Sequence, residues 1–362
     1  MGRSWRGAQE LTVTLDARDP TDPPQVRALA YPALVGSPEA GDRVLLNTAA
    51  LALGLGTGGY AFVVALPDRL PPDPPPGPGH LVKARYTPLQ TVVAGVDEPD
   101  SPHHHRLADA DDLTGMPVVT ADLHSALPAV LAGLHADAPD TPVAYVMTDG
   151  GALPAGFSRT LAALSGSLVG TVTVGQAFGG DLEAASLHSG LLAARLVLGA
   201  EVAIVAQGPG NLGTGTRWGF SGVAVGEAVN AAAVLGGRPV GSLRLSAADP
   251  RPRHHGVSHH SLTAYGRVAL AAADIAVPTG LPEPLAEQVR LALAPLAERH
   301  RLVAVDTTGL DAALRAAPAP LSTMGRGLDA DYPYFLACAA AGRHAAALLA
   351  GPPGPGQDPV RR

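Results

Sequence analysis

Cysteine and lysine are almost missing from this chain. One residue of 362 is a cysteine, Cys338. That excludes an intrachain disulfide, a zinc ribbon and a CxxC redox pair, each of which needs at least two thiols. Cys338 sits among alanines in an apparent helix, the setting of an inert core thiol rather than a nucleophile. Lys83 is the only lysine among 25 basic residues, so a P-loop or Schiff-base lysine would have to be Lys83 itself. Aromatic side chains make up 4% of the chain, which leaves the core to Val, Leu and Ala. The first ten residues, Met1 to Glu10, are polar and lack the apolar centre of a signal peptide; a cytoplasmic address is expected.

Basic charge is also in deficit. The net charge of −7 argues against a general nucleic-acid surface. Hydrophobic content of 46% and charge of 16% suit a packed globular protein long enough for two domains. One uncharged stretch, Val44 to Leu66, has about the length of a membrane span. Its centre, Gly54-Leu-Gly-Thr-Gly-Gly59, breaks a helix, so two strands around a glycine turn are expected and no membrane partner.

Short strand-like segments do occur, at residues 11–17, 26–35, 42–48 and 60–66. Leu11-Thr-Val-Thr-Leu15 alternates apolar and polar residues as a half-buried strand does. Residues 1–66 therefore read as a small antiparallel β barrel or sandwich domain. Residues 67–115 read as a connecting segment that begins with the stiff, proline-rich run Pro67 to Gly79. Ser101-Pro-His-His-His-Arg106 within it reads as a solvated turn.

From Met116 onward, apolar strands alternate with helices. The strands are expected at 117–121, 142–148, 169–175, 201–207, 239–245, 273–278 and 301–306. Helices are expected near 122–137, 155–165, 182–199, 223–236, 259–271, 282–299 and 307–316, with an Ala-rich one at 332–350. The fold class is α/β: residues 116–350 form a mostly parallel sheet with helices on both faces, doubly wound in preference to a closed barrel. Residues 351–362 read as a disordered tail.

Ligands bind beyond the carboxyl ends of such strands, and five successive ends here are polar. They carry Asp122 and His124, then Asp149, then Asp181 and Glu183, then the loop Gly208 to Gly222, then Asp249 to His260. Gly208-Pro-Gly210-Asn-Leu-Gly213 satisfies G-x-G-x-x-G, but a dinucleotide turn needs a helix at once and an acid about twenty residues on, and neither follows. Thr214 or Thr216 stands where a Walker lysine belongs. A general anion cradle remains, built from Gly208, Gly210, Gly213, Thr214, Gly215, Thr216 and Arg217, with Asp249 and Arg326 as further ligand-binding residues. Asp149, Asp181, His259 and His260 are the candidate catalytic acid–base groups. His255 and His259 with Asp249 suggest a divalent metal site, but a helix beginning at Ser258 would leave His255 outside it, with Ser258 as its cap and His254 or His255 as surface residues.

Leu55-Gly-Thr-Gly-Gly-Tyr60, Arg85-Tyr-Thr-Pro-Leu-Gln90, Val174-Gly-Gln-Ala-Phe-Gly-Gly-Asp181, Gln207-Gly-Pro-Gly210, Ser258-His-His260 and Ser322-Thr-Met-Gly-Arg-Gly327 together resemble a bacterial family known as a domain of unknown function, DUF3866. The resemblance runs from about Val26 to Ala347 and implies no activity. The residues themselves suggest an enzyme, a hydrolase or transferase, on a small anionic metabolite, phosphorylated ones included, held at loop 208–222. The alternative is a non-catalytic sensor whose β-domain recruits a partner. A homo-oligomer is compatible with either reading.

Overall fold

The computed structural model describes residues 1–16, 23–73 and 77–350. The expected tail at 351–362 lies outside the described residues. The first sheet contains β1 (Ser4–Trp5), β2 (Ala8–Thr14), β3 (Gln25–Ala30), β4 (Leu45–Asn47) and β5 (Ala61–Ala65) in the order β1-β2-β3-β5-β4. Its neighbours are antiparallel except β3 and β5, which run parallel. The small N-terminal β-unit is thus an open mixed sheet, not a closed barrel or a two-sheet sandwich. Its edge strands are the reason: β1 has two residues and β4 three, too few to pair onward and close. The single turns α1 (Pro32–Val35) and α2 (Ala49–Ala52) lie on the crossover that brings β5 beside β3. The stretch Val44 to Leu66 accordingly holds β4, α2 and β5 around a glycine turn, and no helix among the described residues is long and apolar enough to cross a membrane.

A hairpin of β6 (Leu81–Lys83) and β7 (Thr91–Val93) and one helical turn, α3 (His104–Leu107), lead into the main sheet. That sheet has eight strands, all parallel. They are β8 (Pro117–Thr120), β9 (Val143–Thr148), β10 (Gly170–Thr173), β11 (Leu182–Glu183), β12 (Val202–Gln207), β13 (Arg238–Gly241), β16 (Asp274–Pro278) and β17 (Arg301–Val305). Two short hairpins complete the strands, β14 (Leu245–Ser246) with β15 (Gly256–Val257) and β18 (Ser322–Thr323) with β19 (Arg326–Gly327). The spatial order is β11-β10-β9-β12-β8-β13-β16-β17, an open doubly wound sheet. Seven of these strands fall where apolar runs were expected. The eighth, β11, occupies the start of the helix expected at 182–199, because two residues are too few to show a period.

Alternation along the central strands divides the core into two layers. Val143, Tyr145 and Met147 of β9 join Val202, Ile204 and Ala206 of β12 on one face. Ala144 and Val146 join Ala203 and Val205 on the other. The first face is covered by α4 (Leu127–Asp137), α10 (Leu310–Arg315) and α11 (Tyr332–Leu349), the second by α6 (Leu187–Leu196) and α7 (Ala224–Val234). The remaining helices are α5 (Arg159–Ala163), α8 (His259–Thr263), which runs on into a π-helical turn over Ala264–Val268, and α9 (Leu285–Leu293). Lys83 is buried at the β10–β11 side of the sheet, where its Nζ donates to the carbonyls of Ala177 (3.0 Å) and Ala184 (2.9 Å) beside Glu183. It tethers the β6–β7 hairpin there and does not join the glycine loop after β12.

Helices α4 and α11 approach each other through glycine. A methyl group on Gly133 would meet the Ala339 carbonyl, and one on Gly342 would meet the Val130 carbonyl. Both obstacles are helix backbone, which cannot give way locally. Gly133→Ala and Gly342→Ala should each lower stability by about 1–3 kcal/mol through overpacking, whereas Gly166→Ala, with nothing within 4 Å of the added methyl, should change little. Urea denaturation of the three variants checks this; equal stabilities would refute the close packing of α4 on α11.

Candidate functional site

The crevice follows from strand order. After β8 the chain crosses to β9 through α4 on one face, and after β12 it crosses to β13 through α7 on the opposite face. β8 and β12 are neighbours, so the loops leaving their carboxyl ends diverge and open a gap. Such a switch point is where open parallel sheets hold ligands. Asp122 and His124 follow β8, Gln207 ends β12, and Arg244 follows β13.

Asp122 is buried and meets Arg244 Nη1 at 3.4 Å and His260 Nδ1 at 3.1 Å through the same oxygen, Oδ2. Burial pushes its carboxyl up, but the His260 hydrogen bond and the Arg244 charge outweigh that and hold it below its ordinary value. His260 Nδ1 also lies 3.1 Å from Arg244 Nη1. A carboxylate only accepts and a guanidinium only donates. With His260 Nδ1–H donating to Asp122 Oδ2, which Arg244 Nη1 also reaches, Nε2 keeps the lone pair of the neutral ring, and the approach of Arg244 Nη1 to Nδ1 is a contact of two donors.

Two more histidines converge on this one. Ser258 caps α8 by accepting from His260 N (3.2 Å), and its hydroxyl lies 2.7 Å from His254 Nδ1. His259 Nε2 is buried with no hydrogen-bond partner among the described residues. Ring nitrogens of His254, His259 and His260 all lie within 4.8 Å of one another. Phe220 stacks on His260 with ring centres 3.7 Å apart and planes inclined by 5°. Burial, then the Arg244 and Arg251 charges, lower the His254 pKa to about 3. Burial, then neighbouring His260 and Arg253, lower that of His259 to about 4. Both rings are neutral at physiological pH.

Of the four acid–base candidates, the structure brings only His259 and His260 together. Asp149 is exposed and accepts from Gln176 N (2.8 Å). Asp181 stands beside β11 at the far edge of the sheet, where it pairs with Arg6 at 2.8 Å. Of the two histidines before the helix, His255 is exposed outside α8 and His254 is buried. Asp249 does not reach the histidine cluster through its carboxylate. Arg251 holds it at 2.7 Å and Arg326 at 3.3 Å, and Arg326 also pairs with Asp331 at 2.9 Å. These charges are spent on one another, clamping the β18–β19 hairpin to the segment after β14.

The glycine loop also binds itself. Thr214 N donates to Gly219 O (2.7 Å), Gly219 N donates to Thr216 Oγ1 (3.1 Å), and the two threonine hydroxyls lie 3.2 Å apart. Residues 212–218, with Gly213, Gly215 and Arg217 among them, form an exposed tip. At the root, Gly208 N donates to Thr148 O (3.1 Å) and Ala152 N to Pro209 O (2.7 Å). Added methyls on Gly151 and Gly208 would strike each other's loop backbone. Chain-to-chain contact therefore accounts for the glycines at the root. Helix α7 begins only at Ala224, too late for a dinucleotide turn.

A second polar group borders the cluster. His124 is buried, with Nδ1 3.0 Å from Tyr145 Oη and Nε2 2.7 Å from Ser158 Oγ. Neither Arg244 nor Ser158 stood out in the sequence. The signal for Arg244 was there: a guanidinium inside an apolar strand run must find a buried partner. Ser158 offered none, since it lay inside the helix expected near 155–165.

A family model described as "Protein of unknown function (DUF3866)" matches residues 27–342 of the chain. The chain belongs to the DUF3866 family. No curated protein and no solved structure matches it. The histidine cluster, Asp122, Arg244, His124 and Ser158 all lie within the part of the DUF3866 protein that the family covers.

Acid should weaken this site first. Burial lowers the His124 pKa to about 4, against 6.5 for an ordinary histidine. The unfolded chain then binds a proton that the folded chain resists, so stability is lost as pH falls from about 6.5 toward 4. His124 alone should cost on the order of 2 kcal/mol between pH 7 and pH 5. Urea titrations at both pH values should show a smaller loss in His124→Gln than in the parent, and identical losses would contradict the assignment.

Proposed function

We propose that this DUF3866 protein is a hydrolase acting on a small anionic substrate with a divalent metal ion held by His254, His259 and His260. One observation carries the reading: three imidazoles each place a ring nitrogen within 4.8 Å of the others, and Nδ1 of two of them is already engaged. Asp122 fixes His260 through Nδ1 and Ser258 fixes His254 through Nδ1, so Nε2 of each is the nitrogen left for a metal. Carboxylate and hydroxyl partners of this kind orient ligating histidines and set their tautomer. His259 contributes its unpartnered Nε2. Three histidine ligands are a set found in hydrolytic zinc sites, and an ion bound there would supply a water ionised near neutral pH.

The surroundings favour an anion. Arg253 lies beside Gly215 of the loop, and Arg217 stands on the loop's exposed tip. Arg244 already neutralises Asp122, so the cationic groups facing the loop answer to the substrate. Phe220 covers one flank of His260 at the loop's root and keeps water from that side. Hydrolysis is preferred to transfer because the reading needs water alone as the second reactant.

Protein prepared without a histidine tag should bind one zinc ion per chain by calorimetry and metal analysis. His259→Ala should weaken that binding at least a hundredfold, and Asp122→Asn roughly 10–100-fold through the lost partner of His260. Screening then belongs with phosphate and carboxylate esters, with and without the ion. Zinc binding that His259→Ala leaves unchanged, in protein that melts as the parent does, would sink the proposal.

A further inference from the structure

We propose that the crevice holds a second reactive centre, independent of the metal reading, in which Ser158 is a nucleophile toward a small carboxylic ester. His124 is its base, and the side-chain amide of Asn211 donates to the developing oxyanion.

The placement of hydrogens assigns these roles. Tyr145 Oη lies 3.1 Å from Ala206 O and 3.0 Å from Gln207 O, and a carbonyl cannot donate. With the single phenolic hydrogen on one of these two carbonyls, Tyr145 Oη accepts from His124 Nδ1–H. In the neutral ring Nε2 then carries the lone pair. Ser158 Oγ already accepts from Leu161 N at 2.9 Å, so its own hydrogen points along the 2.7 Å contact to that lone pair. This is the proton arrangement of an activated serine, with a tyrosine in the orienting position. Burial keeps His124 in its base form throughout the neutral range.

Asn211 completes the set. Its Oδ1 accepts from Gln207 Nε2 (2.8 Å), Ser221 Oγ (3.1 Å) and Gly222 N (3.2 Å). Three donors on the oxygen fix the orientation of the amide and leave Nδ2 as the available donor. His124, Ser158 and Asn211 line one cavity of about 320 Å³, whose apolar wall includes Phe157, Pro209 and Met324. A pocket of that size and lining suits a short acyl group.

The step balances with water as the only co-reactant. Ser158 Oγ bonds to the ester carbon as its proton passes to His124 Nε2 and the carbonyl electron pair moves to oxygen, facing Asn211. Collapse breaks the carbon–oxygen bond to the alcohol, which takes the proton from Nε2. Water then attacks the acyl-serine with Nε2 as base, releasing the carboxylic acid and restoring Ser158.

The test is intact-mass analysis of the full chain after treatment with diisopropyl fluorophosphate. One adduct per chain is expected, located on Ser158 by peptide mapping, absent in Ser158→Ala, and formed at least tenfold more slowly in His124→Gln and Asn211→Leu. Chelator-treated protein should label as fast as untreated protein, which separates this centre from the metal-dependent one. Should Ser158→Ala fail to fold for want of its helix cap, Ser158→Cys keeps a nucleophile there. Its thiol should react with iodoacetamide in preference to buried Cys338, and more slowly once His124→Gln is added. Absence of an adduct on Ser158, or a rate indifferent to His124→Gln, would overturn the proposal.

Discussion

A carboxylate buried at the end of the central strand needs compensation, and much of the crevice is arranged around that need. Asp122 follows β8 between two apolar layers, where an unpaired charge would cost several kcal/mol. Arg244, reaching in from the end of β13, supplies the opposite charge, and His260 supplies a hydrogen bond. Satisfying Asp122 through Nδ1 leaves Nε2 as the other nitrogen of the His260 ring, in a cluster with His254 and His259. Removing Arg244 would leave the Asp122 charge stranded, and removing His260 would cost it a hydrogen bond.

Gln207 is the wall between the two polar groups of the crevice. Its Nε2 donates to Asp122 O (2.7 Å) and to Asn211 Oδ1 (2.8 Å). It thus ties the turn after β8 to the loop after β12, with the histidine cluster on one side and His124 with Ser158 on the other. The glycine loop acts through its root. There it positions Asn211 and Phe220, while the exposed tip spends its hydroxyls on itself.

The N-terminal sheet touches this arrangement through aromatic side chains. Tyr31 stacks on Phe62 with ring centres 6.3 Å apart, and Phe62 meets Phe157 at 6.2 Å. Trp5 Nε1 donates to Gly156 O at 2.7 Å. Phe157 and Gly156 directly precede Ser158, so the first sheet braces the segment that carries this serine. A chain with so few aromatics concentrates several of them at that contact.

The main sheet was legible residue by residue because its evidence is local. Apolar runs such as Val202 to Ala206, set between helical periods, register burial on two faces in the sequence itself. The polar strand ends were legible for the same reason, and with them His259, His260 and the cap Ser258. Pairing was not legible. Whether β3 meets β5 in parallel, and whether a two-residue β11 joins β10, depends on partners far away in the chain. Partners likewise decided the fate of each charge: Asp181 went to Arg6, Asp249 to Arg251 and Arg326, and Asp122 to Arg244 and His260. By itself the sequence determined an α/β chain with a polar crevice after the glycine-loop strand, since hydrophobic period and turn chemistry are properties of neighbouring residues. Only the tertiary structure decided that Asp122 meets Arg244 and His260 and that His124 meets Ser158, because electrostatic satisfaction and proton placement there join separate elements that meet only when the sheet is assembled.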